Sequence, residues 1–491
     1  MPCTTALNLT SSVDELVQAE LDVVIIGSGT SGVAVAEHLF DASSLRIAVL
    51  ERGGILTLTH VNNLFPNRRR RQFLDVFGAH PWCGDCADGL ALYAVGGRGI
   101  AAGAHLRRFD RVDFGLWAPD GVWPRRVVEE LERYYPIAER RRRVSTGDVP
   151  GEAQSWTREQ LRGFHPEAPP VGVDFTRGDR FSVSRGYDSS AARLWDALLE
   201  DRLARRPQRL FVAPHTFARR LIQRGASITG IECVSATGAS RVISARAFVL
   251  AASPIESARL VLHSGLECPT PLVGRFLAEH IERRALVVLR HPKAVDGEGI
   301  SLVLTPTGDE QEDRRSRFQI HLRGQLDGNE MVVAIGGFAA MEPNRENAVT
   351  LSPSEVDEFG IPKAHTRLQP SDSDGQRARR LEQRILEVAR LLEPLDFVTE
   401  QFPLEAFAPK FTPDRRVQIM PPGRSYHEAG TLRMGANPDG SVTNDAGRMH
   451  GIANLYAADA SLFPSVGIAN PMLTVTALAY LVATEIAGSL S

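Results

Sequence analysis

The chain has 491 residues, a formal net charge of −3, and 43% hydrophobic against 23% charged residues. This is the balance of a folded globular protein with room for two or three domains, which excludes a disordered chain. The near-neutral charge excludes nucleic acid as a partner gathered by bulk electrostatics.

At the N-terminus, MPCTTALNLTSSVDELVQAE lacks the basic start and apolar core of a signal peptide. No uninterrupted apolar run is expected to reach membrane-spanning length. A cytoplasmic protein without a membrane partner is therefore expected. The five cysteines, Cys3, Cys83, Cys86, Cys233 and Cys268, are too few and too scattered for a secreted disulfide framework.

Leu21 to Ile26 is a short β-branched run of the kind buried in a parallel sheet. It leads into Gly27, Ser28, Gly29, Thr30, Ser31 and Gly32, then into the helical VAVAEHLFDA. A second strand, LRIAVL, ends at Glu51 and Arg52, with Glu51 at about the ~20-residue spacing of a ribose-binding acid. Glycines allow the tight turn and the close approach of a pyrophosphate, and the helix N-terminus holds its charge. Strand, glycines, helix, strand and acid together spell a dinucleotide site.

The tetrad CGDC at Cys83 to Cys86 has no second half of a metal set, and both cysteines read as ordinary thiols. AVGGRGIAAGAHLRR follows, with Gly96, Gly97, Gly99 and Gly103 letting backbone lie against a flat or charged ligand. VVEELERYYPIAE is an amphipathic helix closed by Arg140–Arg143, which, like Arg68–Arg71, reads as a solvated face. Residues 145 to 185, rich in Gly, Pro and charge, are expected as a loop region over a site. The helix SSAARLWDALLEDRLAR, a strand meander ending at FVLAAS with Ala251, and the Pro- and Gly-bounded helix PIESARLVLHSG come next. From Ile281 to Pro422 the alternation in RALVVLR, ISLVLTP, RFQIHLRG and MVVAIGGFAA predicts an antiparallel sheet, with a charged helix over Asp372 to Glu393.

The last stretch carries a lone imidazole, His427, in SYHEAGTLRMG, and the run NLYAADASLFPS with Asp459 and Ala460. Asn470-Pro471 then reads as a helix start, Asn470 capping and Pro471 in the first position, before an apolar segment from Met472.

With both ends read, the chain resembles the glucose–methanol–choline (GMC) family of FAD-dependent oxidoreductases. The motifs are GSGTSG with Glu51, the VGG loop, DF…WP…YYPIAE, VLAASPIESARLVLHSG, VGRFLAEH ending at His280, and HEAGTLRMG…ADASLFPS…NPMLTVTALA. The WP and YY segment is most similar to the bacterial sugar- and polyol-oxidising branch.

The resemblance implies an α/β architecture: a Rossmann-like FAD-binding domain with an inserted substrate domain on an antiparallel sheet with flanking helices. The FAD-binding parts are expected at 20–115, 205–280 and 423–491, a connecting or lid segment at 116–204, and the substrate domain at 281–422. FAD contacts are implied at Gly27 to Gly32, Glu51, Arg52, Gly96, Gly97, Gly99, Gly103, Ala251, Asp459, Ala460, Asn470, Pro471 and Met472. Ala101 and Ala102 stand where relatives carry a flavin-linking histidine and an asparagine. FAD is therefore expected noncovalently bound, with His105 the only nearby residue to contradict this.

His427 aligns with the catalytic base and Asn470 with its partner, for oxidation of an alcohol by oxygen or another acceptor. A base with pKa near working pH is expected, with His280 and His450 as weaker candidates. Asp85, Asp88 and Glu428 make an aminosugar or aminoglycoside alcohol the first choice of substrate, beside a plain sugar or polyol. A lyase of the hydroxynitrile type and a flavin-binding protein without turnover stay open.

Overall fold

The structure is a computed structural model and describes residues 9–64, 73–103, 105–145, 149, 151–174, 186–204, 206–290, 299–305, 315, 317–327, 330–398 and 410–491. Cys3, the Arg68–Arg71 run and residues 175–185 of the expected loop region lie outside the described residues.

The first layer is built by strands whose side chains are apolar on both faces. In chain order it begins with β1 (Leu21–Ile26), α1 (Thr30–Ala42), β2 (Ile47–Leu50), α2 (Arg125–Arg141), α3 (Ser190–Leu203) and β3 (Leu210–Ala213). A separate antiparallel meander of β4 (Thr216–Arg224), β5 (Ser227–Ser235) and β6 (Ser240–Ile243) follows, then β7 (Ala245–Leu250) and α4 (Pro254–Ser264). β7, β1, β2 and β3 pair in parallel, in that spatial order. Their near-continuous burial is what a sheet covered on both faces requires.

The second unit is a large antiparallel sheet. It contains β8 (His280–Arg290), β9 (Gly299–Leu304), β10 (Phe318–Asp327) and β11 (Glu330–Ala340), in the order β9-β10-β11-β8. Helix α5 (Asp372–Leu391) packs its buried stripe of Leu381, Ile385 and Val388 on β8 and β11. Ser371 caps it in a reciprocal box with Asp374. The chain then returns to the first sheet through β12 (Leu455–Ala457), parallel to β7, and ends in α6 (Met472–Leu490).

Several expectations change here. α6 is, by length and composition, long and apolar enough to cross a membrane, contrary to the reading that no such run exists. It packs on both α1 and α2 and is 67% buried over its apolar window, so it serves as a core helix. Helices α2 and α3, inside the segment expected to connect or cover, pack instead on α6 and α1 of the nucleotide layer. The stretch from 145 onward contains a helix, Glu152–Gln160, rather than loop alone.

The Arg140–Arg143 run is not all solvated either. Arg142 is 2% exposed and pairs at 2.7 Å with Asp188, whose side chain is 7% exposed. Desolvating that guanidinium is tolerable because the carboxylate, Thr476 Oγ1 and Met472 Sδ surround it.

Candidate active site

The carboxyl ends of four neighbouring parallel strands open onto one cavity of about 510 Å³. Gly27 follows β1, Glu51 follows β2, Ala251 follows β7, and Asp459 lies two residues beyond β12. Ligands of open α/β sheets bind at such ends. Every cofactor residue named from the sequence lines this cavity except Gly32 and Gly96.

Those two glycines act from behind. A Cβ on Gly32 would stand 2.0 Å from the Gly27 carbonyl oxygen, and one on Gly96 would stand 2.5 Å from Ile100 Cγ2. Gly29 is the opposite case: a Cβ there would meet nothing within 4 Å, so its face is open to a ligand. Helix α1 begins beside it with no side-chain cap, which leaves amide donors for an anion.

Glu51 is buried and already engaged. Its Oε2 accepts from Ser28 Oγ at 2.6 Å and its Oε1 from the Gly53 amide at 2.8 Å. Burial pushes its carboxyl up to about 7, against the pull of those donors. A glycine cradle, an uncapped helix start and an acid at the second strand fit the pyrophosphate and ribose of FAD.

At the cavity's other end stand His427, His321 and Phe338, with His280 hydrogen-bonded to His427. His280, at the head of β8, brings Nε2 within 2.5 Å of the Gly467 carbonyl oxygen and Nδ1 within 2.7 Å of His427 Nδ1. A carbonyl only accepts, so His280 Nε2 carries the hydrogen and its Nδ1 is a bare lone pair. His427 must then donate from Nδ1, and its own lone pair is left on Nε2. Asn470 Nδ2 lies 3.2 Å from that nitrogen. Asn470 Oδ1 is buried without a partner among the described residues.

Burial pushes His427 well below its ordinary value, helped by the nearby His280, Arg98 and His321, and pushes His280 down to about 4. Both rings are therefore neutral at pH 7, and the expectation of a base near working pH is corrected. Phe338 of β11 packs its ring 5.1 Å from that of His427. His450 is elsewhere, bonded to Ser441 Oγ at 2.9 Å.

Three other expectations are corrected. The helix begins at Met472 with Pro471 in the capping place, so the Asn470 side chain is spent on His427 instead of on the helix. His105 is not the only histidine beside the flavin loop, because His60 Nε2 donates to the Ala102 carbonyl at 3.0 Å while its Nδ1 accepts from the Asn62 amide.

The acids offered for ammonium groups are also unsuited to that task. Glu428 is clasped bidentately by Arg98 at 3.0 and 2.6 Å, and Asp85 accepts from the Leu368 amide and Gln369. Neither Asp85 nor Asp88 lines the cavity. The Arg98–Glu428 clasp ties the flavin loop to the residue after His427. Sequence reasoning missed it because no local spacing links positions 330 residues apart. Cys83 and Cys86 are buried, free thiols.

The nucleotide fold and the histidine pair suit a flavoprotein oxidoreductase. Residues 185–282 and 343–479 match the two parts of the family described as GMC oxidoreductase. The chain belongs to that family, which is FAD-dependent and includes alcohol oxidases and dehydrogenases among the relatives of this chain. It is 26% identical to a 2-methyl-1,2-propanediol dehydrogenase of Mycolicibacterium austroafricanum, covering 96% of this chain and 95% of that one. It is 27% identical to a 6'''-hydroxyparomomycin C oxidase of Streptomyces lividus, over 96% and 92%. The pyridoxine 4-oxidase from Mesorbium loti superposes with a TM-score of 0.68 at 17% identity, over 95% and 99%, a likeness of fold.

Proposed function

We propose that the enzyme oxidises a CH–OH group of a sugar-like or polyol alcohol to a carbonyl, with His427 as the base. The observation that carries this reading is the relay Gly467–His280–His427. It leaves a neutral imidazole with its lone pair on Nε2, on the wall of the cofactor cavity. The substrate hydroxyl takes the place of the Asn470 Nδ2 contact at His427 Nε2 and passes its proton there, and Asn470 Nδ2 then donates to the substrate oxygen and holds it in place. Bound FAD supplies the acceptor for the hydride that leaves carbon. Phe338, on the cavity-facing side of β11, helps keep water from the reacting carbon.

Relatives named for a diol and for an aminoglycoside support a polyhydroxylated substrate. Ammonium recognition is no part of the proposal, since Glu428 is committed to Arg98.

FAD is held noncovalently in this reading. Ala101 and Ala102 offer no nucleophile, His60 has both nitrogens in hydrogen bonds, and His105 Nε2 receives the Arg323 Nε hydrogen at 3.2 Å. Oxygen or another acceptor reoxidises the flavin, and the protein works in the cytoplasm.

Anaerobic mixing with a panel of sugars and polyols tests the function. The yellow flavin should bleach with at least one neutral or charged member of the panel. Bleaching by none of them, with cyanohydrin cleavage instead, would replace oxidation by a lyase reaction.

A further inference from the structure

The substrate end of the cavity has a floor, and the floor is one face of the second sheet. Strand register sets it out. On β8 the residues of one face are His280, Glu282 and Arg284, which lie opposite Ala340, Phe338 and Gly336 of β11. On β10 the corresponding residues are Gln319, His321 and Arg323, opposite Phe338, Gly336 and Ala334. Side chains alternate along a strand, so these residues stand on a common side. Glu282, Arg284, His321, Arg323, Gly336 and Phe338 all line the cavity.

The middle strand therefore contributes almost no bulk where the flanking strands carry arginines. Gly336 separates Arg284 from His321, and Ala334 stands next to Arg323. A Cβ on Gly336 would meet nothing within 4 Å, so a recess lies above it. Strands are ~4.8 Å apart, which leaves two guanidiniums diagonally across a gap of roughly two strand spacings.

The charges do not cancel. Arg284 donates to Glu282 at 2.8 Å. Arg323 has no carboxylate within ion-pair distance among the described residues. Its hydrogen bonds go to the Gly103 carbonyl oxygen at 2.6 Å and to His105 Nε2 at 3.2 Å. The remaining groups of the floor are neutral: Gln319 bonds His321 at 3.1 Å, and burial keeps His321 uncharged. Arg284 and Arg323 are close enough to repel, and desolvation and this repulsion both push Arg323 below the ordinary guanidinium range. A buried charge without a counterion is costly, and an anionic ligand relieves it.

We infer that the recess over Gly336, between Arg284 and Arg323, receives an anionic group of the substrate, a carboxylate or a phosphate. The alcohol oxidised at His427 is then a hydroxy acid, a sugar acid or a sugar phosphate. This rests on the alcohol-oxidising reading and narrows its substrate class. Two guanidinium forks suit a planar carboxylate or a phosphate because each presents parallel N–H donors.

The test is calorimetric titration of the FAD-loaded enzyme, at constant ionic strength, with acetate, inorganic phosphate and acetamide. Acetate or phosphate should bind saturably, and acetamide, the uncharged counterpart of acetate, should not. Whichever anion binds identifies the group.

Arg323→Gln should weaken that binding at least tenfold. Gly336→Asp, which places a carboxylate into the open recess without displacing a neighbour, should abolish it, and retained flavin absorbance reports that the fold is intact. Absence of saturable anion binding in the parent enzyme, or binding unchanged in both variants, would overturn the inference. Neither result touches the oxidation reading, which stands or falls on flavin bleaching and on His427.

Discussion

At the residue scale the decisive object is a nitrogen lone pair. Because Gly467 holds the His280 hydrogen on Nε2, the His427 hydrogen is held on Nδ1 and the basic site faces the cavity. His427→Ala should keep FAD and fold yet reduce its flavin about 10²–10⁴-fold more slowly in rapid mixing with substrate. The reduction rate should fall with acid as His427 gains its proton. That limb should lie well below pH 6.5, where burial has pushed the group, and should vanish in the mutant. A mutant that reduces flavin at the parent rate would remove His427 from the mechanism. His280→Ala should cost about tenfold, the scale of one hydrogen bond, because His427 then samples both tautomers. His280→Asn, which restores an acceptor, should recover part of the loss, whereas a purely structural role for the ring would leave the asparagine variant no better.

At the element scale the β1–turn–α1 unit was legible in the sequence because its physics is local. Strand, glycines, helix and acid fall within some thirty residues, and each type has one reason to be there. Glu51 sits where that pattern put it. Glu51→Ala should weaken FAD binding by about 1.5–3 kcal/mol, the worth of hydrogen bonds to a charged acceptor. Equilibrium titration of apoprotein with FAD checks this, and unchanged affinity would place the carboxylate away from the cofactor. Gly27→Ala should be worse for folding than for binding. Gly27 has φ of +104°, and a Cβ would approach the Ala251 carbonyl oxygen to 2.4 Å.

The substrate floor was not legible. Alternation predicts that β8, β10 and β11 each have two faces, but which face meets the flavin depends on register between strands distant in sequence. His280 was visible only as a spare base, since its partner lies 147 positions away. The acids Asp85, Asp88 and Glu428 misled for the same reason. The partners of Glu428 and Asp85, Arg98 and the 368–369 backbone and side chain, arrive by tertiary packing, and Asp88 lies off the cavity.

At the scale of the whole molecule, buried titratable groups of both kinds gather in and around the cavity, and their opposed shifts bear on how the apoprotein responds to pH. Burial raises Glu51 to about 7 and Glu279 to about 8 from an unfolded value of 4.5. Between those limits the folded state binds more protons than the unfolded one, so stability falls as pH rises. His280, at about 4, and His427, well below 6.5, act the other way: the unfolded chain binds the extra protons, so stability falls as pH drops from 6.5. The two windows overlap between 4.5 and 6.5 and oppose each other there. Above 6.5 only the carboxyls remain, and below 4.5 only the histidines. Apoprotein should accordingly be most stable on the acid side of neutrality and lose stability from pH 6.5 to 8. Glu51 accounts for on the order of 3 kcal/mol over its full window. Urea midpoints measured from pH 4 to 8.5 check the profile. Glu51→Gln should flatten the part up to about 7 and leave the further fall toward 8 that Glu279 causes. A parent midpoint that stays level or climbs from pH 6.5 to 8 would mean that burial does not penalise the ionised form of these carboxyls, and the cradle around Glu51 would have to be drawn differently.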